Sequence, residues 1–275
     1  MGEGGLEPPR VLPHRFLKPA RLPFPPLARG MRKANTGMGY GSWSSPNARR
    51  PYNPTMHLAK EMERRLERLV DGATAAVFRG KMHPIDMADR LIRHADFVQF
   101  EGDAGPQIPN EWEMRVNTHD FPDGIDQQEL ATELAMAVEA AARDRAWKLA
   151  GPITVEIIAD PQVPRGLADC SAESHPGPLN AWAQLVATSP PVAFDIADNR
   201  NIVGRALDSD VVANIPEVSR RHAVIVRHGS DVTIADAASA NGTFVNGESI
   251  GSDATAIVPG DTITMGDIDF TFRLL

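Results

Sequence analysis

From residue 181 onward the apolar residues of this chain recur at every second position; before it they recur at every third or fourth. That change of period constrains the fold more than any other feature. A spacing of two puts side chains on one face of a strand, and a spacing near 3.6 puts them on one stripe of a helix. The back half reads as short β-branched runs: "AQLVAT", "VAFDI", "NIVG", "HAVIVRH", "DVTIAD", "GTFVN", "TAIV", "TITMG" and "DFTFRLL". Turn residues part them at intervals of roughly eight to 12 residues, the spacing of an all-β sandwich. Asn241-Gly242 and Asn246-Gly247 are predicted as two-residue hairpin turns of the positive-φ kind. Ile268, Phe270, Phe272 and Leu274 are predicted to alternate inward in a closing strand.

The front half follows the helical period. Leu58, Met62, Leu66, Leu69, Val70, Ala73 and Val77 form one apolar stripe, with Gly80 as the C-terminal cap. Pro84 opens a second helix bearing Ile85, Ala88, Leu91, Ile92 and Ala95. "EGDAGPQIPN" reads as a loop, and Trp112, Met114 and Val116 alternate as a half-buried strand. Asp126 with Glu129 has the form of a capping box, with Ile125 and Leu130 as its staple. The helix it opens runs through Leu134, Val138, Ala141 and Trp147 to a stop at Gly151-Pro152, and "ITVEII" follows as a strand. These elements predict an α+β domain over residues 55–163. "PRGLADCSAESHPGPLN", residues 164–180, is rich in Pro, Gly and Ser and is predicted as a linker to a sandwich spanning 181–275.

Charge excludes some function classes. Residues 1–50 hold nine Lys/Arg against two Asp/Glu, residues 51–180 hold 13 against 22, and residues 181–275 hold six against 12. An acidic body does not suit a nucleic-acid-binding fold. The basic segment 1–54 is rich in Pro and Gly without any period, a composition that predicts disorder. No run reaches the ~20 apolar residues of a membrane span, so a cytoplasmic protein is expected. The single cysteine, Cys170, excludes an internal disulfide and a cysteine-rich zinc site. His83 and His94 have no partner at ligand spacing, and no nucleophile–base pair or carboxylate pair stands out. No catalytic, metal or cofactor site is expected.

Three loops of the sandwich carry distinctive polar groups: Gly204-Arg205, Ser219-Arg220-Arg221-His222 and Ser239-Ala240-Asn241-Gly242-Thr243. Three of the six basic residues of the back half sit in two of them. A guanidinium fork beside a hydroxyl suits a phosphate dianion, because arginine donates two parallel charge-assisted bonds. Positive charge gathered at one rim of an acidic domain points to a small anionic ligand.

The string "IVGRALDSDVV…PEVSRRHAVIV…VTIADAASANGTFVNGESI…PGDTITMGDIDFTF" resembles the forkhead-associated (FHA) domain over about residues 181–275. The resemblance implies an 11-stranded β-sandwich that recognises phosphothreonine in a partner protein. By position, Arg205 and Ser219 would hold the phosphate, Arg220 and Arg221 would contact the phosphate or the peptide backbone, and Asn241 would bond the peptide main chain. Gly204, His222, Gly242 and Asn246 match positions that support the loops. Where the family commonly has Ser or Thr before Asn-Gly-Thr, this chain has Ala240. A lost charge-assisted hydrogen bond costs about 1.5–3 kcal/mol, so a scaffold that binds without phosphate stands as an alternative, as does a nucleic-acid-associated regulator working through the basic tail.

"MERRLERLVDGATAAVFRGKMHPIDMADRLIR" and "GPITVEIIADPQVPRG" are similar to the N-terminal domain of actinobacterial two-domain FHA proteins. That likeness implies substrates and partners of transmembrane Ser/Thr protein kinases, acting in cell-wall synthesis and division. Together the residues predict a non-catalytic adaptor with no cofactor.

Overall fold

Pro84 does open a helix: α1 spans Pro84–Val98, with Pro at its first turn and the His83 ring accepting the Ile85 N–H. The structure, a computed structural model, describes residues 82–121 and 126–275. The first amphipathic stripe, Gly80, Ile125 and the basic tail lie outside the described residues.

The element order after α1 is β1 (Phe100–Gly102), β2 (Gly105–Ile108), β3 (Glu111–Val116), α2 (Gln127–Asp144), β4 (Lys148–Leu149), β5 (Thr154–Ala159) and β6 (Ala168–Glu173). Trp112, Met114 and Val116 turn inward from β3 as their alternation requires. β3 is the centre of a three-stranded sheet, parallel to β5 and antiparallel to β6. Met87 and Leu91 from α1 pack with Leu130, Leu134 and Val138 from α2 over Met114 and Ile157, all buried in one core. Asp126 caps α2 by accepting the Glu129 N–H at 2.9 Å.

Three expectations need correction here. "EGDAGPQIPN" is not a loop throughout: β1 and β2 form a hairpin whose second strand runs parallel to β4. α2 ends at Asp144 rather than continuing to Gly151, because Ala146 sits at φ 50° and Trp147 turns back into the core. Residues 168–173, expected within the linker, pair with the whole length of β3. Ala168, Cys170 and Ala172 are small enough to cover the core without β-branched bulk, so local composition concealed the strand.

The remaining strands are β7 (Ala183–Ala187), β8 (Val192–Ile196), β9 (Arg200–Gly204), β10 (Val211–Val212), β11 (Ala223–His228), β12 (Asp231–Asp236), β13 (Thr243–Val245), β14 (Glu248–Ile250), β15 (Thr255–Ile257), β16 (Thr262–Met265) and β17 (Ile268–Leu274). A five-stranded sheet, ordered β10-β9-β11-β12-β15, faces a six-stranded sheet, ordered β14-β13-β16-β17-β7-β8. That is the 11-stranded sandwich expected from the resemblance. Leu185, Ile196, Ile225, Ile234, Ile263, Phe270 and Phe272 fill the space between the sheets, each contributing roughly 1.5–3 kcal/mol by burial. Leu274 departs from the predicted alternation and is exposed at the end of β17.

Asn246-Gly247 is the predicted hairpin turn: consecutive φ values of 52° and 84° join β13 to β14. Asn241-Gly242 is not. Only Gly242 has positive φ, and residues 237–242 carry the chain from β12 in one sheet to β13 in the other. The described residues fall within one compact unit with two cores.

Candidate functional site

β9 ends at Gly204, and the next residues bond to the loop between β10 and β11. The Arg205 N–H donates to Ser219 O at 3.0 Å and the Ala206 N–H to Arg220 O at 3.1 Å. The two segments approach so closely that a Cβ on Gly204 would lie 2.1 Å from the Arg220 carbonyl oxygen. Only glycine fits between these backbones.

His222 fixes the second loop from within. Its ring is fully buried, Nδ1 accepts the Ser219 N–H at 2.9 Å, and Nε2 lies 3.1 Å from Gly242 O. With Nδ1 accepting, Nε2 carries the proton and donates to Gly242. Burial holds the imidazole below its ordinary pKa, against the hydrogen bond to Gly242 and the nearby Asp236 carboxylate. A neutral ring therefore joins the Ser219 loop to the Gly242 loop.

The third loop is organised by Asp236, a residue the sequence reading passed over. Its carboxylate accepts from the Ser239 N–H, the Ser239 hydroxyl and the buried Thr243 hydroxyl. Burial alone would raise its pKa, yet these hydrogen bonds outweigh burial and hold it below the usual carboxylate value. Asp followed three residues later by Ser was the available signal, an aspartate bonding the backbone of its own turn.

These supports bring most of the expected binding residues to one rim. Ser219 Oγ accepts the Ala240 N–H at 2.9 Å. Its own hydroxyl proton goes to no described residue and is available to a ligand. Arg205 is exposed; its Nε donates to Val218 O at 3.0 Å, and its Nη nitrogens take no acceptor among the described residues. The Arg220 and Arg221 side chains make no hydrogen bond or ion pair with any described residue. Asn241 Nδ2 donates to Glu217 O at 3.2 Å, which leaves its exposed amide oxygen as an acceptor. Ala240, exposed and without a hydroxyl, joins the rim through its backbone alone. Asn246 stands apart from the cluster: it bonds Asp261 and the Thr262 N–H in the β13–β14 hairpin.

A cleft of about 300 Å³ lies elsewhere, lined by Glu139, Arg143, Trp182, Asn199 and Arg227 among others. There Arg227 stacks 4.7 Å from the Trp182 ring centre, and burial pushes its pKa down to about 10. Among the described residues no three or more His, Cys, Asp or Glu side chains are grouped as a metal site. Cys170 is a free thiol on β6, and burial raises its pKa. No helix of the described residues is long and apolar enough to cross a membrane.

The FhaA N-terminal domain family matches residues 59–171, and the FHA domain family matches residues 201–266. The first match covers β3, α2 and β5 and runs into β6. The chain is similar to an ABC transporter ATP-binding/permease protein of Mycobacterium tuberculosis, 47% identical over 72 residues, which are 26% of this chain but only 8% of the transporter. It is similar to the oxoglutarate dehydrogenase inhibitor of Corynebacterium jeikeium, 33% identical over 107 residues, 38% of this chain and 73% of the inhibitor. The crystal structure of the FhaA FHA domain complexed with the intracellular domain of Rv3910 is 30% identical; the match covers 34% of this chain and all of that one, at a TM-score of 0.30. The matched family spans and the inhibitor likeness lead to one assignment: the chain belongs to the forkhead-associated (FHA) family, an FHA domain preceded by an FhaA N-terminal domain.

Proposed function

We propose that the protein is a non-catalytic adaptor that binds threonine-phosphorylated partners in Ser/Thr protein kinase signalling. One observation carries the reading. Three arginine side chains whose Nη groups have no acceptor among the described residues lie in loops that also present a serine hydroxyl whose proton no described residue takes. A phosphate dianion supplies the acceptors such a rim lacks. Arg205 and Ser219 bind the phosphate, Arg220 and Arg221 contact it or the peptide backbone, and Asn241 bonds the peptide main chain.

The relatives support recognition over catalysis. Similar FHA stretches occur in an ABC transporter, a transcriptional regulatory protein and a dehydrogenase inhibitor, so what they share is the module and not one activity. Regulation of the cell wall or cell division from the cytoplasm belongs to this proposal as what the likeness to actinobacterial two-domain FHA proteins implies. A second reading, a scaffold that binds without phosphate, is favoured by Ala240, which brings no hydroxyl to the rim.

The test is a pair of substitutions measured against a phosphothreonine peptide. Arg205→Ala should weaken binding at least tenfold, about 1.4 kcal/mol, while the domain stays folded. Arg205→Lys should also bind less well than wild type, because a point charge does not reproduce the fork. Binding by Arg205→Ala as tight as wild type would place the phosphate elsewhere.

A further inference from the structure

The strand that ends at the phosphate rim begins in contact with the other core. Arg200, the first residue of β9, donates from Nε to Ala146 O at 2.5 Å and from Nη1 to Ala104 O at 3.3 Å. Asn199 Nδ2 donates to Trp147 O, the Leu149 N–H donates to the Asp198 carboxylate, and the Gly229 N–H donates to Arg143 O. The start of β9 is thus held by Ala104 and by residues that follow α2, four residues before Gly204 enters the rim.

A second connection runs through Asp210. Its Oδ1 pairs with Lys148 Nζ on β4, and its Oδ2 accepts the Ile202 N–H at 2.8 Å. The two side chains are 16% and 24% exposed, so the pair is partly screened from solvent at the surface. Asp210 closes the loop that Arg205 opens. Within that loop Ser209 Oγ bonds Arg220 O and the Ser209 N–H bonds Ala206 O. One carboxylate therefore ties the β9 backbone, the end of the Arg205 loop and the α+β half together.

We propose that Lys148, acting through Asp210, is a positioning residue for the anion-binding rim, so that the α+β half holds the Arg205 loop in its binding shape. The reading of the rim as a phosphothreonine site supplies the ligand for this inference. Without the ammonium, Asp210 is left without its cation near the Asp198 carboxylate. It then turns to solvent and loosens its hold on the Ile202 N–H. The segment from Ile202 to Asp210, Arg205 included, loses an anchor on the side away from the ligand.

The experiment uses the full chain with Lys148→Ala and Lys148→Arg. Amide hydrogen exchange is followed in segment 202–210 and, as an internal reference, in β7 and β17 of the same sandwich. Lys148→Ala should speed exchange in 202–210 and leave β7 and β17 unchanged. It should also weaken phosphothreonine-peptide binding roughly fivefold or more, the lower end of coupling between distinct sites. Lys148→Arg, which keeps the positive charge and leaves the Asp210 bond to the Ile202 N–H in place, should restore both. Unchanged exchange in 202–210, or an equal rise in all three segments, overturns the proposal. Failure of the wild-type protein to bind any phosphopeptide overturns the phosphothreonine reading instead, while the exchange data still decide whether Lys148 holds the loop.

Discussion

Gly204 and Ser219 show how much of the site is set by single atoms. A methyl group on Gly204 would meet the Arg220 carbonyl oxygen at 2.1 Å and the Arg221 Cα at 3.0 Å, both backbone atoms that cannot rotate away. Gly204→Ala must therefore push apart the two segments that carry Arg205 and Ser219. It should lower stability by about 1–3 kcal/mol, the range for overpacking, and weaken ligand binding as well. Chemical denaturation of the variant checks this, and a midpoint equal to wild type would show that the close approach is not rigid. The glycine and the arginine after it stood out in the sequence because they read as a polar loop between strands and match the Gly-Arg element of the FHA resemblance. Asn241 was half readable: its place in the loop was expected, but its Nδ2 bond to Glu217 O joins residues 24 apart that no local window relates. Asp236 was overlooked because an aspartate at the end of a strand looks like an ordinary turn residue.

At the scale of elements, the turn between β8 and β9 sets a pH dependence. Asp198 is buried against Leu149, and burial pushes its carboxyl up to about 7, against hydrogen bonds from the Leu149 and Asn199 N–H groups and the charge of Lys148. Asp210 adds to the upward push. An unfolded aspartate titrates near ~3.9, so the folded state binds the proton more tightly. The stability linked to Asp198 is thus fully present below pH ~4 and is lost as pH rises toward 7. Asp198→Asn removes that proton while keeping an acceptor for Leu149. In paired thermal melts from acidic to mildly basic pH, the variant should gain on wild type as pH rises through this window. A difference that stays constant with pH would mean that Asp198 is ionised throughout. This interface was not legible beforehand. Its partners are 49 to 54 residues apart in sequence, and each is an unremarkable polar residue in its own neighbourhood. β10 and β14 were missed for a related reason: runs of two and three residues are too short to show a period.

At the scale of the molecule, the period change divided the chain into a helical front and a β-rich back, and each half has its own core. What the period could not show is that the segment after β5 is a paired strand and that backbone carbonyls beyond α2 hold the sandwich through Arg200 and Asn199. The adaptor reading joins these facts. In the proposed adaptor one half presents the anion-binding rim, and the other holds the strand that leads to it. The most direct test is calorimetric titration of the full chain with one peptide in three forms: phosphothreonine, phosphoserine and unmodified threonine. The phosphate adds a charge of about −1.5 to −2 and three acceptor oxygens. The threonine methyl adds about 0.8 kcal/mol of burial, roughly a fourfold preference over phosphoserine. The account predicts tight binding of phosphothreonine, weaker binding of phosphoserine and none of the unmodified peptide; equal affinity for all three forms would contradict it.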